Sequence, residues 1–150
     1  MPRRPRFSQG IFVPSNPNKY VGTHRPRYRS GWEFSFMNMC DRHPNISSWA
    51  SEAIRIPYIC PITGRKTAYV PDFLLVYTDK RGKVRKEVVE VKPSRQTTVE
   101  SATNAAERKQ AVMNKAKWNA ANEWCKKYGM AFRVVTEKDM FANPTKRRKK

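Results

Sequence analysis

The chain has 150 residues and a formal net charge of +19, from 31 basic and 12 acidic side chains. That length suits one domain around a single core, and without a run of about eighteen apolar residues no segment is expected to span a membrane. Three cysteines, Cys40, Cys60 and Cys125, form no C-x-x-C pair and only two histidines accompany them. This argues against a zinc site and a disulfide framework and for a reduced, cytoplasmic setting.

The charge is unevenly placed. Residues 1–29 hold Arg3, Arg4, Arg6, Lys19, Arg25, Arg27 and Arg29 and no acid, and Lys146, Arg147, Arg148, Lys149 and Lys150 close the chain. Each phosphate contact by such side chains releases condensed counterions, so a nucleic acid is the expected partner, ahead of a solvated surface or an acidic protein partner. Arg25, Arg27, Arg29 and the tail 146–150 are assigned to the nucleic-acid backbone on charge alone.

In chain order, residues 1–27 lack apolar periodicity and read as a basic extended arm that orders on binding, with Ile11-Phe12-Val13 as an anchor. Residues 28–145 form the domain proper and 146–150 the basic tail. Ser30 and Glu33 have capping-box spacing, which predicts a helix to around Arg42 whose stripe is Glu33, Phe36, Met37 and Cys40. A carboxylate leading an apolar stripe calls for a partner. Strands are expected at Ile46–Trp49, at Ala53–Ile59 (an edge or bulged strand because of Pro57), at Lys66–Val70, at Phe73–Tyr77 and at Val84–Lys92. Gly82 sits at a left-handed position in the turn between the last two. Thr98 to Tyr128 is alanine-rich without Gly or Pro and reads as a long helix, with a break near Asn114 or Asn119 and Gly129 as C-cap. A last strand, Ala131–Val135, follows a crossover and so runs parallel to its neighbour. The class is α/β, a mixed β-sheet flanked by helices, with the strands before the long helix in a meander.

The chemistry gathers at the strand ends. Centring the turn on Arg81 puts Asp72 opposite Glu90, with Lys92 two residues on along the same face. Two adjacent carboxylates repel unless a cation or Lys92 intervenes. Their hard oxygens suit Mg²⁺ or Mn²⁺, which activate water and screen phosphate, while Lys92 can stabilise charge developing at phosphorus. The plain alternative is a hairpin with cross-strand charges on a wet face. For Glu33 it is a simple capping acid, and Asp41, Asp79 and Glu87 read as solvated surface acids. The four tryptophans read as core.

Assembled in order, these residues resemble the PD-(D/E)xK nuclease superfamily, with Pro71-Asp72, Glu90 and Lys92 as its motif. Within it they look most like TnsA-type transposon endonucleases and phage junction resolvases. The shared blocks are Ser30-Gly31-Trp32-Glu33, Ile56-Pro57-Tyr58, Tyr69-Val70-Pro71-Asp72-Phe73 and Glu90-Val91-Lys92-Pro93. The resemblance implies a restriction-endonuclease-like core and a Mg²⁺-dependent endodeoxyribonuclease with catalytic Glu33, Asp72, Glu90 and Lys92. Glu33, Asp72, Glu90 and the Val91 carbonyl would be metal ligands, and the cut ends 5′-phosphate and 3′-hydroxyl. Length and basic ends look most like phage members that act on packaged DNA before tail attachment. That implies double-stranded DNA and portal or neck proteins as partners, and action in the host cytoplasm or on the virion. The competing readings are a DNA-binding head plug that does not cut, and a dimeric junction resolvase.

Overall fold

The computed structural model of the protein describes residues 9–97, 100 and 102–140. The tail 146–150, with its assigned DNA contacts, and Arg3, Arg4 and Arg6 lie outside the described residues. The elements in order are β1 (Gly10–Ile11), β2 (Arg27–Tyr28), α1 (Gly31–Arg42), β3 (Ile46–Ser51), β4 (Ile56–Ile59), β5 (Lys66–Tyr69), β6 (Phe73–Thr78), β7 (Val84–Val91), α2 (Ala105–Lys127), β8 (Ala131–Val135) and α3 (Glu137–Met140).

The central sheet has the order β3-β6-β7-β8, with β3, β6 and β7 antiparallel and β8 parallel to β7, as the crossover through α2 requires. One face packs under α1, where Phe36, Met37 and Cys40 meet Trp49, Phe73, Leu75, Val89, Val91 and Val135. On the other side, α2 residues Met113, Ala116, Trp118, Ala121 and Trp124 pack with Ile56, Tyr58, Tyr69 and Phe132. With both faces covered, Val88, Val89, Glu90 and Val91 are all buried at the end of β7.

The meander is interrupted. β4 and β5 leave the sheet and pair only with each other, from Ile56↔Tyr69 to Ile59↔Lys66. Alternation turns Ile56, Tyr58 and Tyr69 toward α2 and leaves Pro57, Ile59 and Lys66 exposed. Pro57 cannot donate to a further strand, so the ribbon takes its second layer from a helix. Helix α2 runs unbroken through both asparagines. Asn114 is buried, accepting from Gln110 Nε2 at 3.0 Å and donating to the Gln96 carbonyl at 3.4 Å. The helix starts at Ala105 because Asn104 caps it, its side chain accepting the Glu107 N–H at 2.8 Å.

The segment expected to be an extended arm is packed from Gly10 onward. β1 pairs with β2, and Phe12 is buried edge-on against Phe34 and Trp49. Tyr20 stacks edge-on against Trp49 with centroids 4.7 Å apart, and the Val21 N–H bonds the Trp49 carbonyl. Asp41, expected on the surface, is 1 % exposed and holds this segment in place. Its carboxylate accepts the backbone N–H groups of Ser15 (2.9 Å) and Asn16 (3.0 Å), and its carbonyl accepts from Asn16 Nδ2 and Lys19 Nζ. Asp41 follows Cys40 on α1, so helical spacing alone does not reveal that a loop covers it.

Asp41→Ala is expected to lower unfolding free energy by about 2–3 kcal/mol, the range for losing hydrogen bonds to a buried charge. Urea melts measure it, and hydrogen exchange should show Ser15 and Asn16 losing protection before the sheet does. Unchanged exchange at those two amides would remove Asp41 from this role.

Candidate active site

The β6–β7 hairpin sets the site's geometry. Asp79 closes the turn by accepting the backbone N–H groups of Arg81 and Lys83, each at 2.9 Å, and Gly82 supplies the left-handed residue at φ 80°. From Thr78↔Val84 the ladder runs in unbroken register to Phe73↔Val89. One further step puts Asp72 opposite Glu90, and there Asp72 Oδ2 accepts the Val91 N–H at 2.8 Å. The sequence-derived pairing of the two acids therefore stands.

The face carrying Glu90 is not wet. Glu90 is 8 % exposed, and its Oε1 accepts a 2.7 Å hydrogen bond from the buried hydroxyl of Tyr69. Lys92 Nζ lies 3.6 Å from its other oxygen. Burial is the main influence raising the Glu90 carboxyl, opposed by the Tyr69 hydrogen bond and by Lys92 and Lys117. Asp72 is raised well above the ordinary aspartate range by burial, then by the charge on Glu90, then by Glu33. Strand ends that serve only stability have no use for two buried, mutually repelling carboxylates.

Glu33 enters from the first turn of α1. Ser30 caps the helix, accepting the Glu33 N–H at 3.1 Å, while Glu33 Oε1 accepts the Arg29 N–H at 2.8 Å. That is one residue earlier than a reciprocal capping box would have it. Burial raises the Glu33 carboxyl too, against the hydrogen bond and charge of Arg29. Glu33 acts electrostatically on Asp72 and Glu90. Even so, no three His, Cys, Asp or Glu side chains among the described residues form a ready-made metal cage. Asp72 and Glu90 form a pair, each acting on the titration of its neighbourhood.

Hard oxygen donors at this pair fit a divalent cation. Asp72 has one oxygen engaged by Val91, while Glu90 has Oε1 engaged by Tyr69 and Oε2 3.6 Å from Lys92 Nζ, so an ion that retains several waters would share that second oxygen with Lys92. Val91 lies between Glu90 and Lys92 on the same strand.

Of the three assigned arginines, Arg29 is ion-paired with Glu52, while Arg25 and Arg27 are exposed. Glu52 itself has a positive φ of 51°, and its N–H bonds the Asp72 carbonyl at 2.9 Å. Three contributors were missed: Glu52, Tyr69 and Lys117. Lys117 Nζ lies 5.7 Å from the Tyr69 ring centroid and acts on Glu90. Tyr69 was legible as part of the Tyr-x-Pro-Asp block. Lys117 has no motif around it and reaches the site only because α2 packs there.

A family model for the TnsA-like endonuclease N-terminal region matches residues 43–137. This chain belongs to the TnsA-like endonuclease family. It is also 34 % identical over 139 residues to the head completion nuclease of Enterobacteria phage T4, covering 85 % of this chain and 90 % of that protein. The family match contains Tyr69, Asp72, Glu90 and Lys92 and begins after Glu33. The mixed sheet between helices agrees with such a nuclease fold. No helix among the described residues is long and apolar enough to cross a membrane.

Because the folded state binds the Asp72 proton more tightly than the unfolded chain does, ionising Asp72 costs stability. Stability should therefore fall as pH rises from the ordinary aspartate range through the raised folded value, and the loss is complete above it. Asp72→Asn removes that charge and retains an oxygen for the Val91 N–H. In chelator at neutral pH the variant should melt at least ~3 °C above wild type, with the gap closing below about pH 4. A variant that melts lower at neutral pH would show that the Asp72 charge is already compensated.

Proposed function

We propose that this chain is a divalent-metal-dependent DNA endonuclease that acts on packaged phage DNA during head completion. The observation that carries the chemistry is the buried Asp72–Glu90 pair with Lys92 alongside, in a strongly basic protein. Glu33, Asp72, Glu90 and the Val91 carbonyl would hold Mg²⁺ or Mn²⁺. The ion would supply a more acidic water and neutralise phosphate charge.

The chain's own groups do the rest. The Val91 N–H orients Asp72, and the Tyr69 hydroxyl orients Glu90. Lys92, about a quarter exposed in its side chain, can donate to a phosphate oxygen as negative charge grows at phosphorus. A water oxygen bonds to phosphorus as the bond to the 3′-oxygen breaks, leaving 5′-phosphate and 3′-hydroxyl ends. The biological setting draws support from the T4 relative, whose name is head completion nuclease.

Nicking of supercoiled plasmid in Mg²⁺ or Mn²⁺ tests this. Wild type should nick, more quickly as pH rises through the raised carboxyl titrations of Asp72 and Glu90. Asp72→Asn, Glu90→Gln and Lys92→Met should each lose on the order of 100-fold or more, while the two acid replacements bind DNA at least as well as wild type. Equal cutting by all three would refute the site. A plug that never cuts predicts instead that Asp72→Asn completes heads as well as wild type does.

A further inference from the structure

We propose that the β4–β5 ribbon is a duplex-DNA-binding arm that grips the substrate beside the acidic site; this rests on the nuclease reading above. Residues 53–71 contain Arg55, Arg65 and Lys66 and not one acid. All three cations are exposed, and among the described residues none makes an ion pair. By contrast, Arg29 is paired with Glu52 and Arg133 with Glu87.

The ribbon's faces are divided. Ile56, Tyr58 and Tyr69 anchor it to α2, while residues 61–67 are all exposed at its tip. Ile59 is 56 % and Ile62 44 % exposed, which is apolar surface with no use in the monomer's core. The tip is held by its own bonds rather than by the body. Cys60 N–H bonds the Arg65 carbonyl at 2.9 Å, Gly64 N–H bonds the Cys60 carbonyl at 2.7 Å, and Arg65 N–H bonds Thr63 Oγ1 at 3.2 Å. Gly64 takes φ 74°, and a side chain's first carbon there would meet nothing within 4 Å. A preformed tip loses little conformational freedom on binding.

Position ties the ribbon to the cut. Its base is Tyr69, whose hydroxyl holds Glu90, and Pro71 leads straight into Asp72. From the Ile56↔Tyr69 pair to the Ile59↔Lys66 pair is three residues, or about 10 Å along a strand. That distance is about three base pairs along a duplex. A two-stranded ribbon is one of the two elements that the major groove admits, so Arg65 and Lys66 can reach phosphates on either side while Ile59 and Ile62 meet sugar or thymine methyl groups.

The test is duplex binding by fluorescence anisotropy in chelator, in an Asp72→Asn background so that nothing is cut. Adding Arg65→Ala and Lys66→Ala should weaken binding about tenfold and lower the slope of log affinity against log salt by about 2. The control replaces Lys80 and Lys83, in the turn at the far end of β6 from Asp72; its loss should be clearly smaller. Unchanged melting temperature confirms that the exposed tip residues were not needed for folding. Equal losses in both pairs would reduce the ribbon to general surface charge, and no loss would overturn the proposal. The two readings fail separately. Wild type that cuts while the ribbon variant binds normally sinks the ribbon alone. Wild type that does not cut sinks the nuclease, and the binding result still decides the ribbon.

Discussion

The register of the β6–β7 hairpin is the constraint on which the site depends. Asp79 and Gly82 close the turn at one end, and the Asp72–Val91 hydrogen bond completes the pairing at the other. A slip of one residue would send every side chain of one strand to the opposite face. Asp72 would then leave Glu90, and the slipped strand would take its core side chain, Leu75 of β6 or Val89 of β7, out from under α1. The apolar alternation and the acidic pair are thus enforced by the same ladder, so the hydrophobic energy of the core also holds the two carboxylates together. Each buried Leu or Val contributes about 1.5–3 kcal/mol to keeping that register.

Burial changes the energetics of this pairing. In water, Asp72 and Glu90 would both ionise freely and repel only weakly. Here α2 and the ribbon cover the β7 end, and both carboxyls are driven upward. The Tyr69 hydroxyl and the Val91 N–H each satisfy one oxygen and fix orientation without supplying positive charge. On the proposed metal-dependent reading, a cation at this pair would relieve the repulsion that the fold has built in, the usual relation between stability and activity at such sites.

The two ribbons of the molecule, β1–β2 and β4–β5, show how one chemistry of strands serves different ends. The first is fastened to the body by Phe12, Tyr20 and the buried Asp41, and it completes the aromatic core around Trp49. The second is fastened only along one face and leaves a basic, self-bonded tip in solvent. Charge alone did not separate them, because both segments are basic in sequence. Packing partners did: the first meets the buried Asp41, whose carboxylate accepts the Ser15 and Asn16 N–H groups, and the cations of the second meet no acid among the described residues.

Local rules were enough for whatever the chain decides within a few residues. The Ser30 cap, the turn at Gly82, the strand at Ala131–Val135 and its parallel pairing all follow from spacing, turn chemistry and handedness. The opposition of Asp72 and Glu90 was legible too, since a hairpin's register is a matter of counting from its turn. What needed the tertiary structure was anything settled by a surface brought from far along the chain. That Glu90 is buried rather than wet depends on Tyr69 and on α2, whose Lys117 is twenty-seven residues away by number and adjacent only in space. That Asp41 is interior depends on a loop folding back over it from 25 and 26 residues earlier. Sequence determined which residues could meet at the strand ends; burial, which is a property of the assembled layers, raised their carboxyls, and the Tyr69 and Val91 hydrogen bonds set their orientation.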